Sequence, residues 1–540
     1  MVYDNPDGVM IGLEVHVQLN KLNTKMFCGC STKYHDAEPN THVCPVCLGL
    51  PGALPVINKK SVEAAMKIGL ALNCEIVEQT QFHRKNYYYP DLPKGFQTTQ
   101  YDFPIVGNGK IVIEGEDGEH VVRITRAHME EDPGRLMHMG TIEKSKGTLI
   151  DYNRSGMSLI EIVSEPDMRS PKEARRYLDK LRNILEYLDV FDGSLEGSMR
   201  VDSNVSIMGG QRVEVKNISS HKGAERAILF EIMRQKNLLR RGGKVVMETR
   251  HFDEARGVTI SMRTKEEEHD YRYFPEPDLV PMRVSDWGPA IQETLPELPD
   301  AKRDRFVEQY GITEMHAKAL TSDIRVADFF EVVASKVDSR AAGTWVADVL
   351  RGELNYRDLA ITSFATGDIV DIINLVLEEK ITEKSAVDVI RTVLDEGGNP
   401  MDIVKEKGLL KVEGDIVTQA VSEAIAENDE AVQDYLGGTE KSLNFLVGQD
   451  WQDRTKDLVL HDFTVFLDVI HQSWSYKECF FIRFSTVDNS PFFQVSSNAI
   501  KMFLIDDVSE IRVSWCDFTI EFLDYLNQGI HQRFFQFFPD

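Results

Sequence analysis

The sequence lacks any uninterrupted apolar run of the roughly 18 residues that a membrane-spanning helix needs. Its first twenty residues alternate between polar and apolar instead of forming the apolar block of a signal peptide. Basic residues are in deficit, with 61 Lys and Arg against 87 Asp and Glu, for a net charge of −26. A nonspecific nucleic-acid coat is disfavoured, because it depends on clustered cations. We therefore expect a cytoplasmic protein with no membrane association, in which any nucleic-acid surface is local.

Cysteine is scarce, with seven in 540 residues, yet four fall within twenty positions. Their spacing is Cys28-x-Cys30, thirteen residues, and then Cys44-Pro-Val-Cys47. Two close ligand pairs can converge on one tetrahedral ion, and a cluster of this kind in a long chain without a signal peptide indicates metal before disulfides. We predict a structural Zn²⁺ site within residues 28–47, with buried or redox-active thiols as the alternative. Four thiolates close the coordination shell, so we expect no catalytic role for this ion.

A Walker A loop is also missing. The nearest approach, at residues 437–442, lacks the glycine that precedes the lysine, which disfavours a P-loop kinase. Glycine itself almost disappears from residues 449–540, which hold one of the 36 glycines but 14 of the 27 Phe and three of the five Trp. The composition therefore changes at about residue 449, and no fold class follows for this aromatic-rich tail.

Short strand-like segments with a few helices over residues 1–294 are typical of an α+β domain with a mixed or antiparallel sheet. Ser170 as N-cap, Pro171 at the first helical position and Glu173 in a capping box predict a helix over about 171–189. The proline-punctuated linker that starts at residue 295 precedes helical periodicity. We predict a helical domain over 295–402 and a small helical tail domain that begins over 403–448.

A second helix is expected over about 223–239, with Ile228, Leu229, Ile232 and Met233 facing inward.

Strand alternation places several polar residues on shared faces. Glu14 and His16 alternate with apolar neighbours along residues 13–19, which predicts a half-buried strand. Strands over 199–207 and 211–217 keep consistent faces only if a three-residue loop joins them, a register that pairs Asn204 with Glu214. The apolar set of this pair that we expect to face inward is Val201, Val205, Val213 and Val215.

If the polar set converges, it forms an oxygen-rich pocket suited to Mg²⁺ and to phosphoryl transfer. Its members are Glu14, His16, Glu130 or Glu131, Asp202 and Glu214. Lys85 and Arg154 are candidate phosphate clamps, with Tyr87 and Asn153 as neighbouring nucleotide contacts. The alternatives are a solvated sheet surface for the acids and surface ion pairs for the cations.

Several segments, taken together and in this order, resemble the B subunit of the tRNA-dependent amidotransferases, the GatB family. They are residues 12–19 (GLEVHVQL), 84–95 (RKNYYYPDLPKG), 128–132 (HMEED), 151–154 (DYNR), 159–167 (LIEIVSEPD), 199–206 (MRVDSNVS), 214–217 (EVKN) and 270–278 (DYRYFPEPD). The resemblance covers about residues 1–448. It implies a cradle-shaped catalytic domain, a helical domain and the start of a tRNA-binding tail domain.

The resemblance implies ATP-dependent amidation of tRNA that is mischarged with Asp or Glu. ATP phosphorylates the side-chain carboxylate, and ammonia then displaces phosphate to give Asn-tRNA or Gln-tRNA. The implied partners are aminoacyl-tRNA, an amidase subunit of the GatA family that releases ammonia from glutamine, and a small third subunit of the GatC family. The chain is thus expected to be a ligase within a hetero-oligomer.

The resemblance also implies roles for individual residues. His16 and Glu131 match magnesium ligands, although strand alternation by itself does not choose between Glu130 and Glu131. Glu14, Asp202 and Glu214 belong to the same acidic cluster. Lys85 matches a lysine of the reaction chamber. The four cysteines match a zinc site that some members keep.

Two departures qualify the resemblance. The related E subunit carries a large inserted domain for which this chain has no room, so the B subunit is preferred. After residue 449 the family's basic tail is replaced by Asp450-Trp451-Gln452-Asp453, which suggests a shifted reading frame or a replaced tail. The alternatives are a non-catalytic zinc-containing RNA-binding or assembly subunit, and a metal-dependent ligase that acts on a small carboxylic acid without tRNA.

Overall fold

The computed structural model describes residues 8–139, 147–264 and 271–410, together with Asn428 and five strands between residues 481 and 537. Most of the predicted 403–448 segment lies outside the described residues. The chain divides into two compact units, Met1–Leu377 with Glu383–Ile403, and Glu378–Thr382 with Val404–Asp540. Within the described ranges, no helix combines the length and the apolar character needed to cross a membrane.

The first unit is built on a 12-stranded sheet that is mostly antiparallel. The strands of this unit are β1 Met10–Gln18, β2 Glu75–Ile76, β3 Gln79–Thr80, β4 His83–Asn86, β5 Phe96–Thr99, β6 Val106–Glu114, β7 Glu119–Glu131, β8 Arg135–His138, β9 Thr148–Asp151, β10 Ser158–Ser164, β11 Met199–Ser206, β12 Val213–Ile218, β13 Glu248–Asp253, β14 Val258–Thr264, β15 Phe274–Pro275 and β16 Met282–Arg283. Ten of them form the main path of the sheet, in the order β14-β13-β12-β11-β1-β10-β7-β5-β4-β15, while β6 pairs with β2 and β7. Two ribbons, β3 with β16 and β8 with β9, lie outside this sheet.

Helices cover one face of this sheet. They are α1 Lys59–Ala71, α2 Pro171–Tyr187, α3 His221–Arg240 and the short α4 Gly288–Gln292. Helix α1 packs on β6 and β7, α2 packs on β6 and α3, and α3 packs on β11 and β12. The core lies between these helices and the apolar sheet face, where Val15, Val205 and Val213 are completely buried. The opposite face of the sheet carries the polar residues of the same strands.

A helical region follows the sheet, and its helices up to Ile403 belong to the first compact unit. Its elements are α5 Pro299–Tyr310, α6 Glu314–Leu320, α7 Ile324–Ala334, α8 Ser339–Thr344, a π-helical segment Trp345–Leu350, α9 Arg351–Tyr356, α10 Thr366–Leu377, α11 Glu383–Glu396 and α12 Pro400–Glu406. The Tyr187 hydroxyl donates to the Thr321 carbonyl oxygen at 3.0 Å, and the Lys180 ammonium lies 2.6 Å from the Asp300 carboxylate. These contacts join the region to the end of α2. An α+β fold followed by helices is therefore confirmed, whereas the domain boundaries at 294 and 402 stay predictions.

Five strands are described in the second unit. They are β17 Phe481–Val487, β18 Ser490–Ser496, β19 Val513–Trp515, β20 Phe518–Glu521 and β21 Gln536–Phe537. Strand β17 pairs with β18, and β19, β20 and β21 form a separate three-stranded antiparallel sheet.

The sequence signals that predicted the start of α2 and the pairing of β11 with β12 are confirmed. The Ser170 hydroxyl accepts a hydrogen bond from the backbone N–H of Glu173, and α2 begins at Pro171. The Glu173 carboxylate reaches the backbone N–H of Arg169, one residue before the expected partner. Asn204 pairs with Glu214 as the three-residue loop requires.

One prediction for α3 is wrong. Ile228 and Ile232 are buried, but Leu229 and Met233 are 50% and 54% exposed. Each helical residue advances the side-chain direction by about 100°, so residues one step beyond a buried pair can already face outward. The face of α3 toward the sheet is completed by Ala224 and Ala227, small residues that allow close approach.

Candidate active site

The polar face of the sheet is assembled by three neighbouring strands. Strand β1 runs between β10 and β11, and this places His16 opposite Glu161 on one side and Glu14 opposite Asp202 on the other. Side chains directly opposite each other in an antiparallel pair share a face. The polar residues of β1 are therefore brought into contact with carboxylates that are far away in the sequence.

The first cluster contains His16, Glu130 and Glu161, whose potential ligand atoms all lie within 4.8 Å of one another. His16 Nε2 is 3.3 Å from Glu161 Oε2. His128 lies behind the cluster, with Nε2 3.2 Å from Glu130 Oε1 and 3.4 Å from Glu161 Oε2. Gln97 Nε2 donates to Glu130 Oε2 at 2.8 Å and so fixes that carboxylate.

Burial and ion pairing shift the pKa values of this cluster in opposite directions. Burial alone would lower the pKa of His16, but the carboxylate of Glu161 raises it above its ordinary value. Burial also favours neutral Glu161, yet the two histidines hold its pKa well below the usual range. His128 follows the same pattern, and its pKa rises to about 9 despite burial because Glu161 and Glu130 face it. His128 and Glu161 are thus held in their charged forms near neutral pH before any ligand enters.

His128 is expected to make the free energy of unfolding depend on pH. Its pKa is about 9 in the folded chain against 6.5 ordinarily, so its ion pairs stabilise the fold fully below about pH 6.5. This stabilisation is lost as the pH rises through about 9. Urea unfolding without added Mg²⁺ should show a loss on the order of 2–3 kcal/mol between these limits. His128→Gln should flatten the profile, whereas the exposed-site control His35→Gln should keep it; equal profiles for all three would refute the assignment.

The second cluster contains Glu14, Asp202 and Glu214, again with potential ligand atoms within 4.8 Å of one another. Lys216 Nζ lies 2.7 Å from Asp202 Oδ2 and 3.3 Å from Glu214 Oε1. Asn204 Nδ2 donates to Glu14 Oε1 at 2.8 Å. Burial raises the pKa of Glu14, and Glu161 and Asp202 raise it further. Negative charge therefore remains in excess beside Glu14. Because Glu14 is repelled by Glu161 as well as by Asp202, it couples the two clusters electrostatically.

Both clusters have donor sets that fit a hard divalent cation. Carboxylates supply all three donors of the second cluster and two of the three in the first, and they are the ligands that Mg²⁺ prefers, whereas the imidazole nitrogen of His16 is a softer donor. The raised pKa of Glu14 reflects carboxylate repulsion, in addition to burial, that a cation would relieve. One pocket was predicted, and the structure instead groups His16 with Glu130, and Glu14 with Asp202 and Glu214, in two separate clusters.

Glu131 lies apart from these two clusters. It forms an ion pair with Lys94 and accepts a hydrogen bond from the backbone N–H of Thr98 at 3.2 Å. Sequence reasoning did not single out Glu161 as a site residue. The available signal was a lone carboxylate in β10 between buried Ile160 and Ile162, a position where an acid is costly without partners.

Lys85 lies over aromatic rings, with Nζ 4.8 Å from the centre of the Tyr271 ring and 5.8 Å from that of Tyr87. The Tyr87 hydroxyl donates to Gln97 Oε1 at 3.2 Å, and Gln97 in turn bonds Glu130. Burial and Glu130 raise the pKa of Tyr87, which therefore remains protonated. Lys85 and Tyr87 thus connect to the first cluster through one amide side chain.

Arg154 and Asn153 engage other parts of the protein. The Arg154 guanidinium donates to the carbonyl oxygens of Pro133 and Gly134 at 3.0 and 2.8 Å and lies 3.7 Å from Asp132. Asn153 is completely buried and bonds the cysteine-containing loop at the backbone N–H of His42 and at a second backbone position. The contacts of both residues are therefore structural ones within the described chain.

The four cysteines are free thiols whose sulfurs lie within 4.8 Å of one another. Cys47 Sγ accepts a hydrogen bond from the backbone N–H of Cys44 at 3.1 Å, as expected for a tight turn that aims both sulfurs inward. A hydrogen bond from Cys28 lowers the pKa of Cys47 to about 5, and nearby Lys25 also contributes. A soft tetrathiolate set with one thiol already acidic fits Zn²⁺.

Lys25 is expected to support zinc binding from behind Cys47. It is completely buried, and its ammonium donates to the His42 carbonyl oxygen at 2.8 Å and to Cys47 Sγ at 3.8 Å. A positive charge there offsets the double negative charge of a zinc tetrathiolate. Lys25→Met should weaken zinc affinity by roughly tenfold or more, the usual range for groups that support a ligand. Competition against a chromophoric chelator measures this, with the exposed Lys33→Met as control; equal affinities would disprove the role.

Comparison with known proteins identifies relatives across most of the chain. Residues 9–288 match the family model of the GatB/GatE catalytic domain, and residues 328–453 match the GatB domain model. The B subunit of an aspartyl/glutamyl-tRNA(Asn/Gln) amidotransferase from Methanococcoides burtonii is 85% identical over 449 residues, which cover 83% of this chain and 95% of the relative. The B subunits of the same name from Methanosarcina mazei and Methanospirillum hungatei are 72% and 57% identical, over 83% and 82% of this chain and 95% and 93% of their own lengths.

The matched ranges agree with the sequence pattern. The first family model by itself spans more than half of the chain and contains both carboxylate clusters and all four clustered cysteines. Neither family model extends past residue 453, close to the change of composition predicted at about 449. The chain therefore belongs to the family of aspartyl/glutamyl-tRNA(Asn/Gln) amidotransferase B subunits.

Proposed function

We propose that this chain carries out the ATP-dependent amidation of Asp-tRNA(Asn), Glu-tRNA(Gln) or both. The observation that carries the proposal is the pair of adjoining carboxylate clusters around His16 and Glu14, on the open face of a sheet whose other face is closed by helices. The names of the relatives support the reaction. They do not favour the non-catalytic alternative, since each relative is named as part of an amidotransferase.

The chemistry explains why such a site is acidic. A carboxylate is a poor electrophile, so phosphoryl transfer from ATP to the side chain of the esterified Asp or Glu is needed to supply a leaving group. Ammonia then attacks the acyl carbon, phosphate leaves and the amide remains. When bound, Mg²⁺ would neutralise phosphate charge during the first transfer.

We propose that His16, Glu130 and Glu161 hold one cation and that Glu14, Asp202 and Glu214 hold another. Glu131 stays a candidate ligand, although its described contacts are with Lys94 and Thr98. Lys85 and Tyr87 are proposed to contact the nucleotide. Their position one amide away from Glu130 supports this. Asn153 and Arg154 also stay nucleotide-contact candidates, although the contacts described for them are structural.

Zn²⁺ is proposed as a structural ion held by Cys28, Cys30, Cys44 and Cys47. Its loop joins β1 to α1, and Asn153 binds that loop through the backbone of His42. We therefore expect zinc to fix the loop rather than to take part in the reaction.

Membership as a B subunit implies partner subunits. We propose that these are an amidase subunit of the GatA family, which supplies ammonia from glutamine, and a small third subunit of the GatC family, in a cytoplasmic hetero-oligomer that acts on aminoacyl-tRNA.

The direct test uses the full chain, alone and with its amidase partner, together with Asp-tRNA or Glu-tRNA, ATP, Mg²⁺ and ammonium chloride. Ammonium replaces the glutaminase reaction, and formation of Asn-tRNA or Gln-tRNA is followed. We expect product that requires ATP and that is reduced in Glu214→Gln but not in the exposed-site control Glu119→Gln. ATP cleavage without a tRNA requirement, or no amide with either preparation, would contradict the proposed function.

A further inference from the structure

The cations around the two carboxylate clusters divide into two groups. One group is neutralised by acids within the fold: Lys94 by Glu131, Lys216 by Asp202 and Glu214, and Arg200 by Asp132. The other group contains Lys85 and Arg126, whose side chains have no carboxylate within ion-pair distance among the residues that the structure describes. A partly buried cation without an anion is costly, so these two charges are available to a ligand.

Arg126 is held by an aromatic ring. Its guanidinium carbon lies 4.6 Å above the centre of the Tyr101 ring, and its Nε is buried without a hydrogen-bond partner. Within the described chain, its side chain makes no ion pair or hydrogen bond. Cation–π contact fixes the plane of a guanidinium while leaving its N–H groups free to bind oxygen atoms.

Strand alternation places Arg126 on the polar face of β7, directly after a β-bulge. The pairing of β10 with β7 shifts between Val163 and Ser164, where Arg126 is followed in the register by Ile124. Ile124 and Ala127 both enter the core although they are three residues apart, which shows the change of alternation. The bulge changes the face of Ile124 and the residues before it, whereas Arg126 alternates regularly with His128 and Glu130 and shares their face.

Four tyrosines join Arg126 to Lys85. We call Tyr87, Tyr271, Tyr273 and Tyr101 the tyrosine strip. Tyr101 stacks on Tyr273 with ring centres 4.9 Å apart, Tyr273 meets Tyr271 edge-on at 6.1 Å, and Tyr271 meets Tyr87 at 5.9 Å. Lys85 and Arg126 lie at the two ends of this strip.

Each end of the strip is linked to the first cluster through one intervening residue. Tyr101 approaches His128 edge-on with ring centres 6.2 Å apart, and His128 bonds Glu130 and Glu161. Tyr87 reaches Glu130 through Gln97. Two unneutralised cations are thus linked, through the ends of the strip, to the carboxylates that we propose to hold a metal. Cations and a metal ion together suit the binding of a polyphosphate.

We infer that Arg126 and Lys85 together clamp the phosphate chain of the nucleoside triphosphate, with the tyrosine strip holding both cations in place. This inference rests on the proposed function and assigns Arg126 a binding role within it. The competing source of phosphate is the tRNA backbone, which the test separates from ATP.

The test measures equilibrium binding by calorimetry, with full-length chain, Mg²⁺ and, in separate arms, ATP, inorganic tripolyphosphate and uncharged tRNA. Arg126→Ala should weaken ATP and tripolyphosphate binding roughly 10- to 100-fold, as expected for lost hydrogen bonds to a charged group, and should leave tRNA binding unchanged. Arg126→Lys keeps the charge but loses the planar fork, so its loss should be smaller. Arg123→Ala, on the exposed outer part of β7 and paired with Asp167, is the matched control.

The outcomes separate this inference from the proposed function. Wild-type amidation with unchanged ATP binding in Arg126→Ala would overturn the inference alone. Weakened tRNA binding with unchanged ATP binding would also overturn it, since the phosphate would then be that of tRNA. Failure of the wild-type chain to bind ATP would overturn both. If Arg126→Ala lowers the melting temperature, Arg126→Lys decides, because a folded lysine variant with wild-type affinity for tripolyphosphate would refute the planar clamp.

Discussion

Replacing Glu161 with glutamine is expected to remove almost all amidation activity, by roughly a thousandfold, the order found when a preorganised charge at a reaction centre is lost. Glu161 is the partner of both His16 and His128, at 3.3 and 3.4 Å. Glutamine keeps the shape of the side chain but removes the charge that pairs with both histidines and that the proposed cation site needs. Ammonium-dependent amidation measures the effect.

A binding measurement separates the loss of charge from a loss of fold. Mg²⁺ binding should weaken in Glu161→Gln while the circular-dichroism spectrum stays that of a folded chain. Glu119→Gln, at an exposed position of β7, is the matched control and should behave as wild type. Normal amidation by Glu161→Gln would remove the first cluster from the proposed active site.

Replacing Asp132 with asparagine is expected to lower the free energy of unfolding by about 3–5 kcal/mol, the range for removing one partner of a buried ion pair. Asp132 is 1% exposed, and its carboxylate binds Arg200 at 2.6 Å, Arg154 at 3.7 Å and the amide of Gln18. Burial favours the neutral acid, but the two guanidinium groups lower the pKa of Asp132 below its ordinary value. Its loss leaves both arginines without their shared anion.

Urea unfolding at pH 7 checks this prediction, with exposed Asp117→Asn as control. Because the folded pKa of Asp132 is depressed, its contribution is present above the ordinary pKa of 3.8 and disappears as the pH falls through the lower folded value. Wild type and Asp132→Asn should therefore converge in stability in strong acid. A stability difference under about 1 kcal/mol at pH 7, the range of an exposed ion pair, would show that the arginines find other partners.

Local sequence rules predicted the pieces of this site well. The two-residue period of β1 placed Glu14 and His16 on one face, because strand side chains alternate whatever the strand pairs with. Loop length together with alternation gave the pairing of Asn204 with Glu214. The same reasoning was less successful for α3, where Leu229 and Met233 proved exposed.

Which acids meet was not predictable from alternation. Glu130 and Glu131 are adjacent in the chain, but the pairing of β7 with β10 directs Glu130 toward His16 and leaves Glu131 with Lys94. Glu161 enters the site only because β10 is the neighbour of β1. Neutralisation of the cations likewise depends on partners far away in sequence.

The sequence by itself determined the alternating strands, the caps of α2, the cysteine spacing and the family, because these depend on residues close together in the chain. Only the tertiary structure decided that His16, Glu130 and Glu161 form one cluster and that Arg126 has no anion among the described residues. Strand order, register and the bulge in β7 result from burying a shared core between the sheet and its helices. That packing involves residues from the whole domain, so strand order and register cannot be predicted from any short segment of the sequence.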